Sequence, residues 1–124
     1  MNLTSAEKAA LAPLYARFTN DAARRIDCGP GWISLLLACD AELAAIDPNY
    51  RLVQVKEKFA GLRYYFDSSI EAAQHVMRSI ARQYEIQSNT VCEKCGEPGI
   101  HRNSRAGRMQ TLCLSDYNPE HSTT

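Results

Sequence analysis

The chain has 124 residues, with 14 Lys+Arg against 14 Asp+Glu, 45% hydrophobic and 23% charged. That length and mix describe one folded domain built on a single core and exclude a disordered tail. A formal charge of zero also removes the default case for a sequence-blind nucleic-acid binder, which needs surplus Lys and Arg to displace counterions, though local basic patches stay open.

Met1 to Lys8 lacks the basic and then apolar pattern of a secretory signal. The most apolar run, Ile33 to Cys39, is interrupted by Ser34 and falls far short of the roughly 20 residues that cross a bilayer. The expectation is a cytoplasmic chain. Five cysteines, an odd number in a reducing compartment, argue for metal ligation or buried thiols over a disulfide framework.

Thr4-Ser5-Ala6-Glu7 fits a capping box with Leu3 as a hydrophobic staple, so a first helix starts there. Leu11, Leu14, Tyr15, Phe18, Ala22 and Ile26 recur at three- and four-residue intervals. They predict one helix ending before Cys28-Gly29-Pro30-Gly31, with Pro13 placed to kink it. A second helix carries Pro30 near its first turn and Trp32, Leu35, Leu36, Cys39, Leu43 and Ile46 on one side, stopped by Asp47-Pro48-Asn49. Two such helices on a short link predict an antiparallel pair. Trp32 reads as a core anchor, and Cys28 and Cys39 as small core residues.

From Leu52 to Phe66 the period falls to 2 and Gly61 supplies a turn residue, predicting a β-hairpin. Val53 and Val55 point to one face and Gln54, Lys56 and Lys58 to the other, while Leu62, Tyr64 and Phe66 alternate with Arg63 and Tyr65. Glu57 shares the parity of the valines and is the misfit. A two-residue turn at Ala60-Gly61 and a four-residue loop from Lys58 to Gly61 both keep these faces. Ser68-Ser69-Ile70-Glu71 fits a second capping box, and Ile70, Ala73, Met77, Ile80 and Tyr84 predict a third helix. Gln87 to Thr90 is polar and turn-prone, a joint before the cysteine segment, and His121 to Thr124 reads as a frayed end. The predicted fold class is α+β: two N-terminal helices, a β-hairpin, a third helix and a small C-terminal zinc ribbon. Its organisation is a body over 1–90, a ribbon module over 91–118 packed on it, and a tail over 119–124.

Cys92-Glu93-Lys94-Cys95-Gly96 is a C-x2-C-G knuckle, in which two intervening residues let both sulfurs meet one ion and the glycine permits the tight turn behind them. Cys113 returns a third sulfur at ordinary zinc-ribbon spacing, and a structural Zn2+ wants a fourth ligand. Asp116 has the best spacing, completing a second C-x2-C-like pair, and His121 has the better ligand chemistry, with His101 behind both. The competing readings are three unrelated buried thiols, or a redox pair at Cys92 and Cys95; the latter lacks the strand leading into a helix that such motifs follow. A catalytic zinc fails its own test. The helical His75 is followed by Val76 and Met77, no proline precedes Cys92, and no His-Glu-x-x-His occurs. With no phosphate loop, nucleophile elbow or carboxylate pair standing out, the expectation is a protein that is not an enzyme.

The stretch Gln54-Val55-Lys56-Glu57-Lys58-Phe59-Ala60-Gly61-Leu62-Arg63-Tyr64-Tyr65, joined to Gly31-Trp32 upstream and to Cys92-Glu93-Lys94-Cys95-Gly96-Glu97-Pro98-Gly99 downstream, carries a resemblance. It resembles the small phage- and prophage-encoded zinc-ribbon proteins with a QVKEKFGxLR-type core. The resemblance covers most of residues 31 to 113 and implies a bacterial or phage origin and a structural metal, with no reaction. This chain departs from that pattern where a second Cys or His commonly follows the last knuckle cysteine: it has Leu114-Ser115-Asp116.

Two basic patches are candidate contact surfaces. Lys56 lies opposite or diagonal to Arg63 on the hairpin in either register, with Lys58 and Tyr65 adjacent, an arrangement that repels unless an anion or acidic partner lies across it. Arg102, Arg105 and Arg108 project between the knuckles, where arginines can grip phosphates or carboxylates. Exposed Lys and Arg also serve simply to keep sheet surfaces soluble. The first functional expectation is a zinc-stabilised module that binds another protein, such as a host factor. The alternative is nucleic-acid binding, with Tyr65 stacking on a base and the arginines on the backbone.

Overall fold

The computed structural model describes residues 2–21, 24–103 and 107–117. It is a mixed α+β arrangement of short helices and two small sheets, in an order richer than the sequence predicts. The N-terminal capping box forms, Thr4 accepting from the Glu7 amide and Glu7 from the Thr4 amide, and starts α1 (Ser5–Ala10). The single long first helix does not form. The helix breaks at Leu11, because Pro13 has no amide to continue the ladder and instead opens the first turn of a separate α2 (Ala12–Tyr15). Beyond it the helix does not resume among the described residues. Phe18 bridges Leu52, the Leu52 amide donates to Arg17, and Ile26 lies in strand β1 (Ile26–Asp27) rather than on a helix. Ala22 of the expected stripe lies outside the described residues.

A 3-10 turn at Pro30–Trp32 leads into α3 (Ile33–Ile46), whose Leu36, Cys39 and Leu43 are buried. Strands β2 (Arg51–Lys58) and β3 (Gly61–Asp67) form the hairpin, and β1 adds to β2 in parallel, giving the order β1-β2-β3. Two details of the hairpin depart from expectation. Its turn residues are Phe59 and Ala60, both at positive φ (51° and 72°), so Gly61 pairs with Lys58 at the start of β3 instead of turning. A bulge between Leu52 and Gln54 turns Val53 outward, so Leu52 and Val55 supply the buried face.

The second capping box is absent. Ser68 and Ser69 bind the buried Asp47 at the end of α3, and α4 (Gln74–Gln87) begins only after a 3-10 turn at Glu71–Ala73. Met77 and Ala81 of α4 enter the core, and so does Glu85, which sequence periodicity does not flag. Its role follows from topology. β3 is an edge strand, and side chains of α4 and of the 3-10 turn after it close that edge: Ser88 accepts from the Leu62 amide (2.9 Å), Glu85 from the Tyr64 amide (2.8 Å), and Arg78 donates to the Tyr64 carbonyl (2.8 Å). At the centre, Arg17 (2.5 Å) and the Tyr50 hydroxyl (2.5 Å) both donate to Asp40, and the Tyr50 and Tyr64 hydroxyls meet at 2.6 Å. The C-terminal part comprises a 3-10 turn at Ser88–Thr90, the knuckle, a second hairpin of β4 (Ile100–Asn103) and β5 (Met109–Leu112), and α5 (Leu114–Tyr117). No helix among the described residues is long and apolar enough to cross a membrane.

Candidate metal centre

The three sulfurs scattered in sequence meet in space. One ligand atom each from Cys92, Cys95, Cys113 and Asp116 lies within 4.8 Å of all the others. Asp116 Oδ2 is 3.2 Å from Cys92 Sγ and 3.3 Å from Cys113 Sγ, and Cys95 Sγ is 3.6 Å from Cys113 Sγ. A tetrahedral Zn2+ would hold sulfurs about 3.8 Å apart and a sulfur and a carboxylate oxygen about 3.5 Å apart, so the four atoms already stand near the corners of such a site. Of the candidates for the fourth position among the described residues, Asp116 is the one brought to the sulfurs: α5 starts directly after Cys113 and carries the carboxylate back. His101 instead bonds Asn89 through Nε2 (2.9 Å), outside the cluster. His121 lies outside the described residues.

The four donors also share hydrogen bonds with one another. The thiol of Cys95, then that of Cys92, hold the Asp116 carboxyl below the ordinary carboxylate range, with a smaller contribution from Cys113. The same contact with Asp116 pushes the Cys95 thiol up to about 12. These shared protons are what a divalent cation displaces on binding.

The knuckle is seated on the body rather than hanging from it. The Gly31 amide donates to the Glu93 carbonyl (2.7 Å), Trp32 Nε1 to the Val91 carbonyl (2.8 Å), and the Glu93 amide to the Thr111 carbonyl (2.9 Å). Gly31 leaves no room for a side chain, since a Cβ there would lie 2.0 Å from the Cys92 carbonyl oxygen. Gly96 supplies the positive φ, 85°, behind the second cysteine. Glu93 between the cysteines is fully buried: Oε2 accepts from the Gly29 amide (2.8 Å), and Oε1 has no hydrogen-bond partner among the described residues. Burial pushes its carboxyl up. The hairpin closes the other side, where Thr111 Oγ1 donates to the Ala60 carbonyl (2.7 Å) and Arg108 to Glu57 (2.9 Å). Thus the three separated motifs, Gly31-Trp32, the hairpin core and the cysteine knuckle, converge on one place. Glu57, the misfit by parity, is explained too, because its second oxygen accepts the Ala60 amide of the turn.

The basic residues fall in two settings. Lys56 and Arg63 are direct cross-strand partners, with Lys58 and Tyr65 on the same outer face, and Asp27 flanks Lys56 from β1. Arg102 donates to the Leu112 carbonyl and lies over the Tyr117 ring (5.2 Å), and Arg108 holds Glu57, so both are engaged within the chain. Arg105 lies outside the described residues. What sequence reasoning missed is Phe59, 74% exposed at the tip of the strained turn. No protein family, curated protein or solved structure matches this chain, and the resemblance to phage-encoded zinc-ribbon proteins is carried by its motifs alone.

Proposed function

We propose that Cys92, Cys95, Cys113 and Asp116 hold a structural Zn2+, and that the protein is a non-enzymatic, phage- or prophage-encoded interaction module that binds another protein. The observation that carries the metal reading is the convergence of three thiols and one carboxylate within 4.8 Å. Soft thiolate donors in a four-atom tetrahedral set suit Zn2+. The contact surface is the face next to it. Phe59 and Ala60 hold left-handed backbone at a cost of about 1–2 kcal/mol each, and the turn that imposes this cost presents an aromatic side chain to solvent. Strain kept in order to expose a phenyl ring is expected of a docking element, with Lys56, Lys58, Arg63 and Tyr65 as its polar surround. A protein partner with an apolar pocket rimmed by carboxylates fits that composition.

Nucleic acid is the second reading, favoured by the Lys56–Arg63 pair and the exposed Tyr65. Zero net charge, Asp27 beside Lys56 and Glu57 on Arg108 weigh against it. Native mass spectrometry is expected to find one zinc ion per chain, and a metal-free chain under zinc-replete conditions would sink the metal reading. Capture from bacterial lysate that survives nuclease and is lost in Phe59→Ala is the expected signature of the protein partner. Salt-dependent retention on DNA or RNA, weakened by Lys56→Glu and Arg63→Glu, would replace it with the nucleic-acid reading.

A further inference from the structure

The geometry points to Cys95 and Cys113 as an oxidation site, at which a two-electron oxidant such as hydrogen peroxide joins the two sulfurs and thereby expels the metal. This inference rests on the metal-binding reading of the same four donors. Two observations single out the pair. Cys95 is exposed and Cys113 half-buried, whereas Cys92 is fully buried, so reagent reaches the first two. Their sulfurs are 3.6 Å apart, and closing to the roughly 2.05 Å of a disulfide requires only a small movement.

That movement falls to the Cys95 side of the knuckle. Lys94, Cys95, Gly96 and Glu97 are all exposed, and the Gly96 amide and Glu97 carbonyl are bonded to the Cys92 backbone (2.9 and 2.7 Å), so the movement is that of the exposed Cys95 side chain. Glu93 is pinned by bonds to Gly31, Gly29 and Thr111, and Cys92 beside it is fully buried.

In the reaction, the Cys95 thiolate attacks one peroxide oxygen, the O–O bond breaks, hydroxide leaves, and Cys95 becomes a sulfenic acid. The Cys113 thiolate then attacks the Cys95 sulfur and displaces a second hydroxide, forming the S–S bond. Two thiolates have lost two electrons in total, and peroxide has taken them up. Only Cys92 and Asp116 remain as donors, too few to retain Zn2+, which departs as the free ion. A four-cysteine centre would keep two thiolates after the same event, so the carboxylate at Asp116 makes this centre the easier one to empty.

The test uses the full chain loaded with zinc, with one ion per chain verified by native mass spectrometry and a chromogenic chelator present during peroxide treatment. The expected result is stoichiometric zinc release, a Cys95–Cys113 linkage by peptide mapping, and recovery of the metal after dithiothreitol and added zinc. Retention of zinc under peroxide, a linkage involving Cys92, Cys28 or Cys39, or sulfinic acids without a linkage would overturn it. Cys28→Ser combined with Cys39→Ser is expected to leave release and linkage unchanged, and loss of either in that variant would also overturn it. A chain that binds no zinc fails the metal reading itself, and its peroxide map then decides the pairing: any pair other than Cys95–Cys113 rejects it.

Discussion

The β2–β3 hairpin and the β4–β5 hairpin are both short antiparallel pairs, yet different forces shape them. In the first, Leu52, Val55, Leu62, Tyr64 and Phe66 are buried against the helices, and side chains of α4 and the turn after it satisfy the open edge. In the second, Thr111 and Leu112 are the buried members among the described residues, and Ile100 and Met109 face solvent. Too little apolar surface is removed from water there to organise a hairpin. It is held instead at its edges, by the backbone seat around Gly31 and Trp32 and by the four donors at Cys92, Cys95, Cys113 and Asp116. The C-terminal part is therefore neither an independent zinc-dependent unit nor a plain extension of the core. On the proposed reading, a bound metal would close a segment that the body has already positioned.

The sharpest way to break this comparison is Gly31→Ala. A methyl group 2.0 Å from a backbone oxygen must push the knuckle away from the body, and the expected loss is about 3 kcal/mol in urea denaturation together with weakened zinc retention. If the metal alone shaped the segment, the substitution would leave zinc content and stability at parental values. Next in size, Glu85→Ala tests the other hairpin. It leaves the buried Tyr64 amide without a partner, so a loss of about 2 kcal/mol is expected, with association at high concentration through the uncovered β3 edge and normal zinc content. Size-exclusion chromatography over a concentration series checks this, and a strictly monomeric, fully stable variant would show that α4 does not guard the edge.

The smallest effect concerns acid. Burial raises the Asp47 carboxyl, but hydrogen bonds from Ser69, Ser68 and the Asn49 amide outweigh it and hold its pKa down at about 2, against 3.8 for the free group. A folded-state value below the unfolded one contributes stability that is fully present above about pH 4 and is lost as the pH falls towards 2. Thermal melts between pH 5 and 2 should decline in the parent and decline less in Asp47→Asn. Parallel slopes would remove Asp47 from the account.

Local signals in the chain were legible and non-local ones were not. The Thr4 cap, the α3 and α4 stripes, the hairpin and the convergence of Cys92, Cys95 and Cys113 all follow from spacings of a few residues or from ligand chemistry that names its own partners. The first helix was over-read because Phe18 and Ile26 keep helical spacing, while the strands they join lie far along the chain at Leu52 and Val55. Tertiary pairing overrode periodicity there. Glu85 and Glu57 were opaque for a related reason. Glu85 is buried and Glu57 half-buried, each serving a backbone amide, of Tyr64 and Ala60, and no pattern of apolar residues announces such a partner. The approach of Asp116 to the sulfurs, with His101 left outside the cluster, likewise needed the short α5 that carries the carboxylate back beside Cys113.

Trp32 is the only tryptophan in the chain, and its indole nitrogen is tied to the carbonyl just before the first knuckle cysteine. The emission colour of one native fluorophore therefore gauges how firmly the cysteine loop is seated. Metal loading, peroxide or a docking partner can each be followed in real time, with no dye or tag attached.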